Sequence, residues 1–320
     1  MTNVLVTGST GFIGSKLSLK LVDEGYNVYA LIRHTSRREL EPLAPVLDRI
    51  HLIEGDLITY HSVDSAVNTV QPEFVLHVGA LTPVRLSFQN PFPYLSINFE
   101  GTVNVVHAIL EKAPKARLIC ASSAEVYGWQ SGHRPIPETA SLHPASPYAV
   151  SKEAADQYVQ MAMKVYDLRA TVLRPNNTYG RQGEKGFITE YLISTMLENK
   201  TCYIGASESV RDYMYIDDHV NGYLLAMKSQ KAIGEIFNVS PGNPVSNREL
   251  ANKIAKLTGY KGKIVYGSYP PGYSQRSAIC DPDYFVLSST KINKTLGWKP
   301  TVTLEDGLSR TVESWKAALC

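Results

Sequence analysis

Val4-Leu5-Val6-Thr7-Gly8-Ser9-Thr10-Gly11-Phe12-Ile13-Gly14 is the stretch whose reading decides the fold of this 320-residue chain. Residues 4–7 read as a buried strand, and Phe12–Asp23 carries the periodicity of a helix. Glycines at 8, 11 and 14 permit a tight strand-to-helix turn and close backbone approach. The helix start then presents unpaired N–H groups, which suit the pyrophosphate of a dinucleotide. A glycine triplet alone also serves plain packing; its place between a first strand and a first helix is what makes it specific.

Outward from this loop the chain alternates strand and helix patterns. Strand-like runs occupy residues 28–32, 50–53, 74–78, 117–121 and 170–173, and helical patterns occupy 93–112 and 147–166. Such alternation predicts parallel βαβ units in an α/β, doubly wound sheet of Rossmann type. After Arg174 proline, glycine and tyrosine become frequent, with helices predicted near 189–198, 217–228, 246–257 and 304–318. The division expected is 1–175 for an NAD(P)-binding domain and 176–320 for a smaller C-terminal α/β domain that binds substrate. Segments such as 237–239 are expected to return to the main sheet.

Composition narrows the function classes. With 44% hydrophobic residues the chain can bury a sizeable core, and a formal net charge of +2 offers no field for nucleic acid or a membrane surface. No apolar run reaches the roughly 18 residues of a membrane span, and no charged leader precedes the first strand. Cys120, Cys202, Cys280 and Cys320 lie far apart without a CxxC pair. That spacing argues against a disulfide framework or a metal site and fits a cytoplasmic location.

The end of the second strand bears on cofactor choice. A carboxylate there would hold the ribose 2′-hydroxyl of NAD. Here Leu31-Ile32-Arg33 is followed by His34, Thr35, Ser36, Arg37 and Arg38. A basic, hydroxyl-rich loop suits a 2′-phosphate, because Arg binds it bidentately. NADP is therefore expected, with NAD the alternative.

Tyr148-Ala149-Val150-Ser151-Lys152 follows Pro147 at a predicted helix start. Residues four apart share a helix face, so the phenol and ammonium can enter one site. A cation beside a phenol lowers its pKa, and the phenolate could act as a base. Of the 19 tyrosines only Tyr148 has Lys four residues later. Upstream, Ile119-Cys120-Ala121-Ser122-Ser123-Ala124-Glu125-Val126-Tyr127-Gly128 runs off a strand's carboxyl end, where open α/β sheets bind ligands. Ser123 could hydrogen-bond a reacting sugar oxygen, or merely satisfy a turn.

Together with Leu173-Arg174-Pro175-Asn176-Asn177-Thr178-Tyr179-Gly180, these segments stand in the order of the extended short-chain dehydrogenases/reductases. The chain resembles their nucleotide-sugar epimerase/dehydratase branch over nearly its whole length. Val210-Arg211-Asp212-Tyr213-Met214-Tyr215 and Leu296-Gly297-Trp298-Lys299-Pro300 resemble two later motifs of that branch. The resemblance implies that Ser123, Tyr148 and Lys152 form the catalytic triad. Cofactor contacts are expected at Gly8, Gly11, Phe12, Ile13 and Gly14, at Arg33, Ser36 and Arg37, and at Tyr148 and Lys152; the resemblance adds an adenine contact at Asp56, with Leu57 beside it, while Arg33 departs from the family's NAD-type epimerases. Asn177, Arg211 and Arg276 would hold the diphosphate of a nucleotide-sugar. The helices at 93–112 and 147–166 resemble the family's dimer interface, so a homodimer is expected.

Several fates are open to a 4-keto sugar. In the resemblance, glutamate at the position of Glu125 marks dehydratases and decarboxylases, where a carboxylate could remove the C5 proton. Ala124 stands where one dehydratase subgroup has aspartate, and an alanine cannot protonate the leaving water. A 4,6-dehydratase of GDP-mannose-like type is expected, with a 4-epimerase close behind and a 4-keto-6-deoxy-sugar reductase third. A non-catalytic dinucleotide sensor on the same fold would not need the Tyr148/Lys152 pair that this chain keeps.

Overall fold

Strands that are apolar on both faces must be covered on both faces. The computed structural model shows that arrangement; it describes residues 1–33, 37–183, 185–270, 272–273 and 280–319. In chain order the strands are β1 (Asn3–Thr7), β2 (Asn27–Ile32), β3 (His51–Glu54), β4 (Phe74–His77), β5 (Arg117–Ala121), β6 (Ala170–Pro175), β7 (Asn177–Tyr179), β8 (Cys202–Ile204), β9 (Val210–Tyr215), β10 (Ile236–Val239), β11 (Pro244–Ser246), β12 (Ile264–Tyr266) and β13 (Tyr284–Phe285). Seven of them form one sheet in the order β10-β6-β5-β4-β1-β2-β3. Every pairing in it is parallel.

Alternate residues of these strands feed two separate cores. Val4, Val6, Leu76, Ile119 and Leu173 pack with Leu17 and Leu21 of the helix Phe12–Asp23 and with Tyr223, Leu224 and Met227 of the helix Ile216–Lys228. Leu5, Val75, Leu118 and Val172 face the other way, onto Val63 and Val67 of the helix Tyr60–Val70 and Val105 and Ile109 of the helix Gly101–Lys112. Removing one such buried side chain typically costs about 2–5 kcal/mol. The strand order reverses between β1 and β4, so a crevice opens at their carboxyl ends. The site is built there.

The second half supplies two small sheets. β9 pairs antiparallel with β11 and parallel with β7 and β13, and β8 pairs with β12. The helices Ile188–Leu197, Asn247–Thr258 and Leu304–Leu319 close a third core around Leu192, Ile193, Leu250, Ile254, Leu308 and Trp315. β10 leaves this half and joins β6 in the main sheet. Among the described residues no helix is long and apolar enough to cross a membrane.

The 93–112 pattern is not one regular helix. A short turn at Phe92–Tyr94 leads into a π-helical stretch, Leu95–Glu100, before the α-helix Gly101–Lys112. Asn98, in the middle of this stretch, is buried. Its side chain accepts from the Leu81 N–H at 2.8 Å and donates to the Leu81 carbonyl at 3.0 Å and to Ser151 Oγ at 3.0 Å. π-bulges of this kind often sit at functional sites.

Candidate active site

The glycine loop is set by contacts that leave no space for side chains. Gly8 has φ +69°, and a Cβ there would fall 2.6 Å from Gly79 Cα. A Cβ on Gly14 would fall 2.1 Å from the Gly8 carbonyl oxygen. The loop is therefore pulled flat against β4, and Gly11 N–H closes it on the Gly8 carbonyl at 2.9 Å. Gly11 is the N-cap of the helix Phe12–Asp23 and gives it no side-chain cap. The amides of Phe12, Ile13 and Gly14 thus open the helix with its positive dipole end, which fits a diphosphate.

Arg33 follows the tip of β2 and is exposed. Asp56 is half-buried, and one of its carboxylate oxygens accepts the Ile58 N–H at 3.2 Å. The neighbouring Leu57 carbonyl accepts from Asn104 at 2.7 Å. Ser36 and Arg276 lie outside the described residues, as does the side chain of Arg37.

Ser123, Tyr148 and Lys152 are brought together from two elements and are all buried. Ser123 is the N-cap of a 3₁₀ turn, Ala124–Tyr127, and its Oγ accepts the Glu125 N–H at 3.2 Å. The helix Pro147–Val165 is capped by Ser146 Oγ on the Ala149 N–H at 3.0 Å, with proline in the first turn. That cap fixes where the helix begins and hence which residue faces the cleft. Tyr94 meets the Tyr148 ring edge-on at 6.3 Å between centroids.

Electrostatics differ from the expectation at one point. Burial pushes the Tyr148 phenol up to about 12; a hydrogen bond with Ser123 acts downward, and the Glu125 carboxylate and Tyr94 act upward. The Lys152 ammonium donates to the Ala121 carbonyl at the end of β5. Burial also lowers the Lys152 amine, opposed by Cys120 and Asp156. The pairing four apart on a helix was visible in the sequence; the carbonyl that takes up the ammonium was not.

Asn177 and Arg211 lie on the small sheet. Asn177 is exposed on β7, opposite Tyr213 of β9, and its amide donates to Asn176 Oδ1 at 3.1 Å. Arg211 on β9 forms an ion pair with Asp281 and donates to the Val210 carbonyl at 2.9 Å. A diphosphate at Arg211 would share it with that carboxylate.

Sequence reasoning missed the buried polar residues beneath the site. His77 lies between Thr7 Oγ1 at 2.8 Å and Thr102 Oγ1 at 3.0 Å. Asp156 pairs with Arg174, Nε to Oδ2 at 2.8 Å, with both side chains buried. Asp156 follows Lys152 by four residues, so helical spacing could have flagged it.

A family model described as GDP-mannose 4,6 dehydratase matches residues 5–311. The chain belongs to that family, the nucleotide-sugar epimerase/dehydratase branch of the extended short-chain dehydrogenases/reductases, whose members are NAD(P)-dependent enzymes. It is 30% identical to the dTDP-D-glucose 4,6-dehydratase of Homo sapiens, over 98% of this chain and 89% of that one. The crystal structure of a UDP-glucose 4-epimerase with UDP-glucose from Thermotoga maritima superposes with a TM-score of 0.88 at 30% identity, covering all of both chains. The Thermus thermophilus UDP-glucose 4-epimerase complexed with NAD gives a TM-score of 0.84 at 27% identity, over 99% of this chain and 100% of that one.

Proposed function

We propose that the chain is a nucleotide-sugar 4,6-dehydratase working through a 4-keto sugar, with Tyr148, Ser123, Lys152 and Glu125 as its chemical groups. The observation that carries the reading is the Glu125 carboxylate, held on the Ser123-capped turn and close enough to Tyr148 to raise its phenol. When bound, a nicotinamide would supply the acceptor for the C4 hydride and, after loss of water, the donor of that hydride to C6. Tyr148 takes the proton of the 4-hydroxyl, Ser123 holds that oxygen, and Lys152 holds positive charge beneath it. Oxidation at C4 acidifies C5; Glu125 takes the C5 proton and passes it to the departing 6-hydroxyl, which leaves as water, and a solvent-derived proton is added at C5 when hydride reaches C6.

The amides of Phe12–Gly14 would hold the cofactor diphosphate. Arg33, exposed at the tip of β2, supports NADP as the cofactor. Asn177 and Arg211 would bind the nucleotide diphosphate of the sugar. A 4-epimerase is the second reading, favoured by the buried Ala124, which offers no acid to the leaving water.

Product analysis in deuterated water separates the two. Dehydration of UDP-glucose or dTDP-glucose places solvent deuterium in the product by way of C5 deprotonation, and Glu125→Gln slows elimination while still allowing C4 oxidation. A product free of carbon-bound deuterium, with only a modest effect of Glu125→Gln, would establish the epimerase instead.

A further inference from the structure

Behind Lys152 lies a buried network that the reaction itself does not use. Asp156 binds Arg174 through two hydrogen bonds, Nε to Oδ2 at 2.8 Å and Nη2 to Oδ1 at 3.1 Å. Its Oδ2 also accepts the Ser122 hydroxyl at 2.5 Å. Arg174 Nη1 donates to Tyr127 Oη at 2.9 Å, and that hydroxyl donates to Asn238 Oδ1 at 2.7 Å. Asn238 in turn donates to the Ile136 carbonyl at 2.9 Å, and its N–H to Glu138 Oε1 at 2.9 Å. The network therefore ties the helix Pro147–Val165 to the ends of β5, β6 and β10 and to the turn that carries Glu125.

Two of its members adjoin chemical groups. Ser122 lies between Ala121, whose carbonyl takes the Lys152 ammonium, and Ser123. Tyr127 closes the 3₁₀ turn two residues after Glu125. Asp156 is thus the one carboxylate that holds both the strand end and the helix bearing Tyr148 and Lys152. A buried ion pair is weak support for stability, since desolvation offsets most of its Coulomb energy. Its better-attested use is to fix one arrangement among several.

We propose that Asp156 is a positioning residue: with Arg174 and Ser122 it holds the end of β5 so that the Ala121 carbonyl meets the Lys152 ammonium, and it is the anion four residues from that amine on the same helix. This rests on Tyr148 and Lys152 being the proton-handling pair of the site. Among the described residues, the charged or titratable groups around Lys152 include Tyr148 and Asp156, four residues either way on its own helix, His77 on β4 and Cys120 on β5. Of these, burial and the Lys152 charge itself keep His77 neutral, with its ring well below the usual histidine range, and burial keeps the Cys120 thiol protonated. Asp156 is the remaining anion.

The test compares Asp156→Asn, which removes the anion and nearly keeps its shape, with Ser122→Ala, which deletes a single hydroxyl. The Lys152 amine is titrated by NMR in protein carrying isotope-labelled lysine, and kcat and KM are measured on UDP-glucose and dTDP-glucose. In Asp156→Asn the Lys152 midpoint should fall by about one pH unit, the lower end of what an adjacent opposite charge does. The alkaline limb of kcat should move down with it, kcat should drop about tenfold and KM should stay within about twofold, as for misplaced reacting groups. Ser122→Ala should move midpoint and kcat the same way by less, and it decides the matter if Asp156→Asn does not fold. An unmoved Lys152 midpoint in folded variants overturns the proposal. Absence of turnover by the unmodified enzyme tells against the dehydratase reading, while the titration still tests this one.

Discussion

Mild acid should unfold this protein through two buried histidines, His77 and His219. His77 is enclosed between two threonine hydroxyls. Thr102 Oγ1 donates to the Asn98 carbonyl, so it accepts from His77 Nε2, and Thr7 Oγ1 accepts the Gly79 N–H, so it donates to His77 Nδ1. That network assigns the neutral tautomer, and a second ring proton would face a donor. His219 bonds to Thr178 Oγ1 at 2.8 Å through Nδ1, and its Nε2 is buried with no partner. Burial lowers both rings to about 3, with the Lys152 charge adding at His77 and the Arg181 charge at His219.

A group whose folded-state pKa lies below its unfolded value stabilises the fold above the unfolded pKa and loses that contribution as pH falls. For these rings the window runs from about 6.5 down to about 3. Taking about 1.4 kcal/mol per pH unit, each ring loses about 2 kcal/mol between pH 7 and pH 5, or about 4 together. Exposed carboxylates such as Glu198, held down to about 2 by Lys185 and Lys200, lose their contributions only below this range. Urea denaturation at pH 7, 6 and 5 measures the slope. His77→Gln and His219→Gln should each remove about half of it, because each deletes one proton taken up on unfolding. A slope unchanged in both variants would refute the assignment of the acid sensitivity to these rings.

Two further outcomes follow from the site. Arg33→Ala should weaken NADP(H) by roughly 10- to 150-fold, the loss of one charge-assisted contact worth about 1.5–3 kcal/mol, and leave NAD(H) nearly unchanged. Calorimetric titration with both cofactors checks this, and equal losses would show that Arg33 does not read a 2′-phosphate. Tyr148→Phe should keep cofactor and nucleotide-sugar affinity while turnover falls by about two orders of magnitude or more, the scale of a lost general base. Because burial holds the phenol up to about 12, kcat/KM should climb with pH between 7 and 9 in the unmodified enzyme. A flat profile there would mean that the base titrates lower.

The sequence alone determined the architecture, because the signals for it are local. Short buried apolar runs and period-3.6 patterns put β1, β5 and the helices Phe12–Asp23 and Pro147–Val165 within a residue or two of their observed bounds. The glycine loop was equally legible, since glycine spacing records a steric demand, here the close approach of Gly8 to Gly79 and of Gly14 to Gly8. Tyr148 and Lys152 were found because helical spacing alone puts them on one face. Only the tertiary structure decided what surrounds them. Burial raises the phenol that a nearby lysine was expected to lower, and the Ala121 carbonyl takes the ammonium. Asn98, within the break at Leu95–Glu100, bonds to Leu81 and Ser151, 17 and 53 residues away in the chain. Asp156 meets Ser122 across 34 residues. Apolar periodicity records which face of an element is covered, whereas a buried polar group takes its meaning from distant partners that only the folded chain brings within hydrogen-bonding reach.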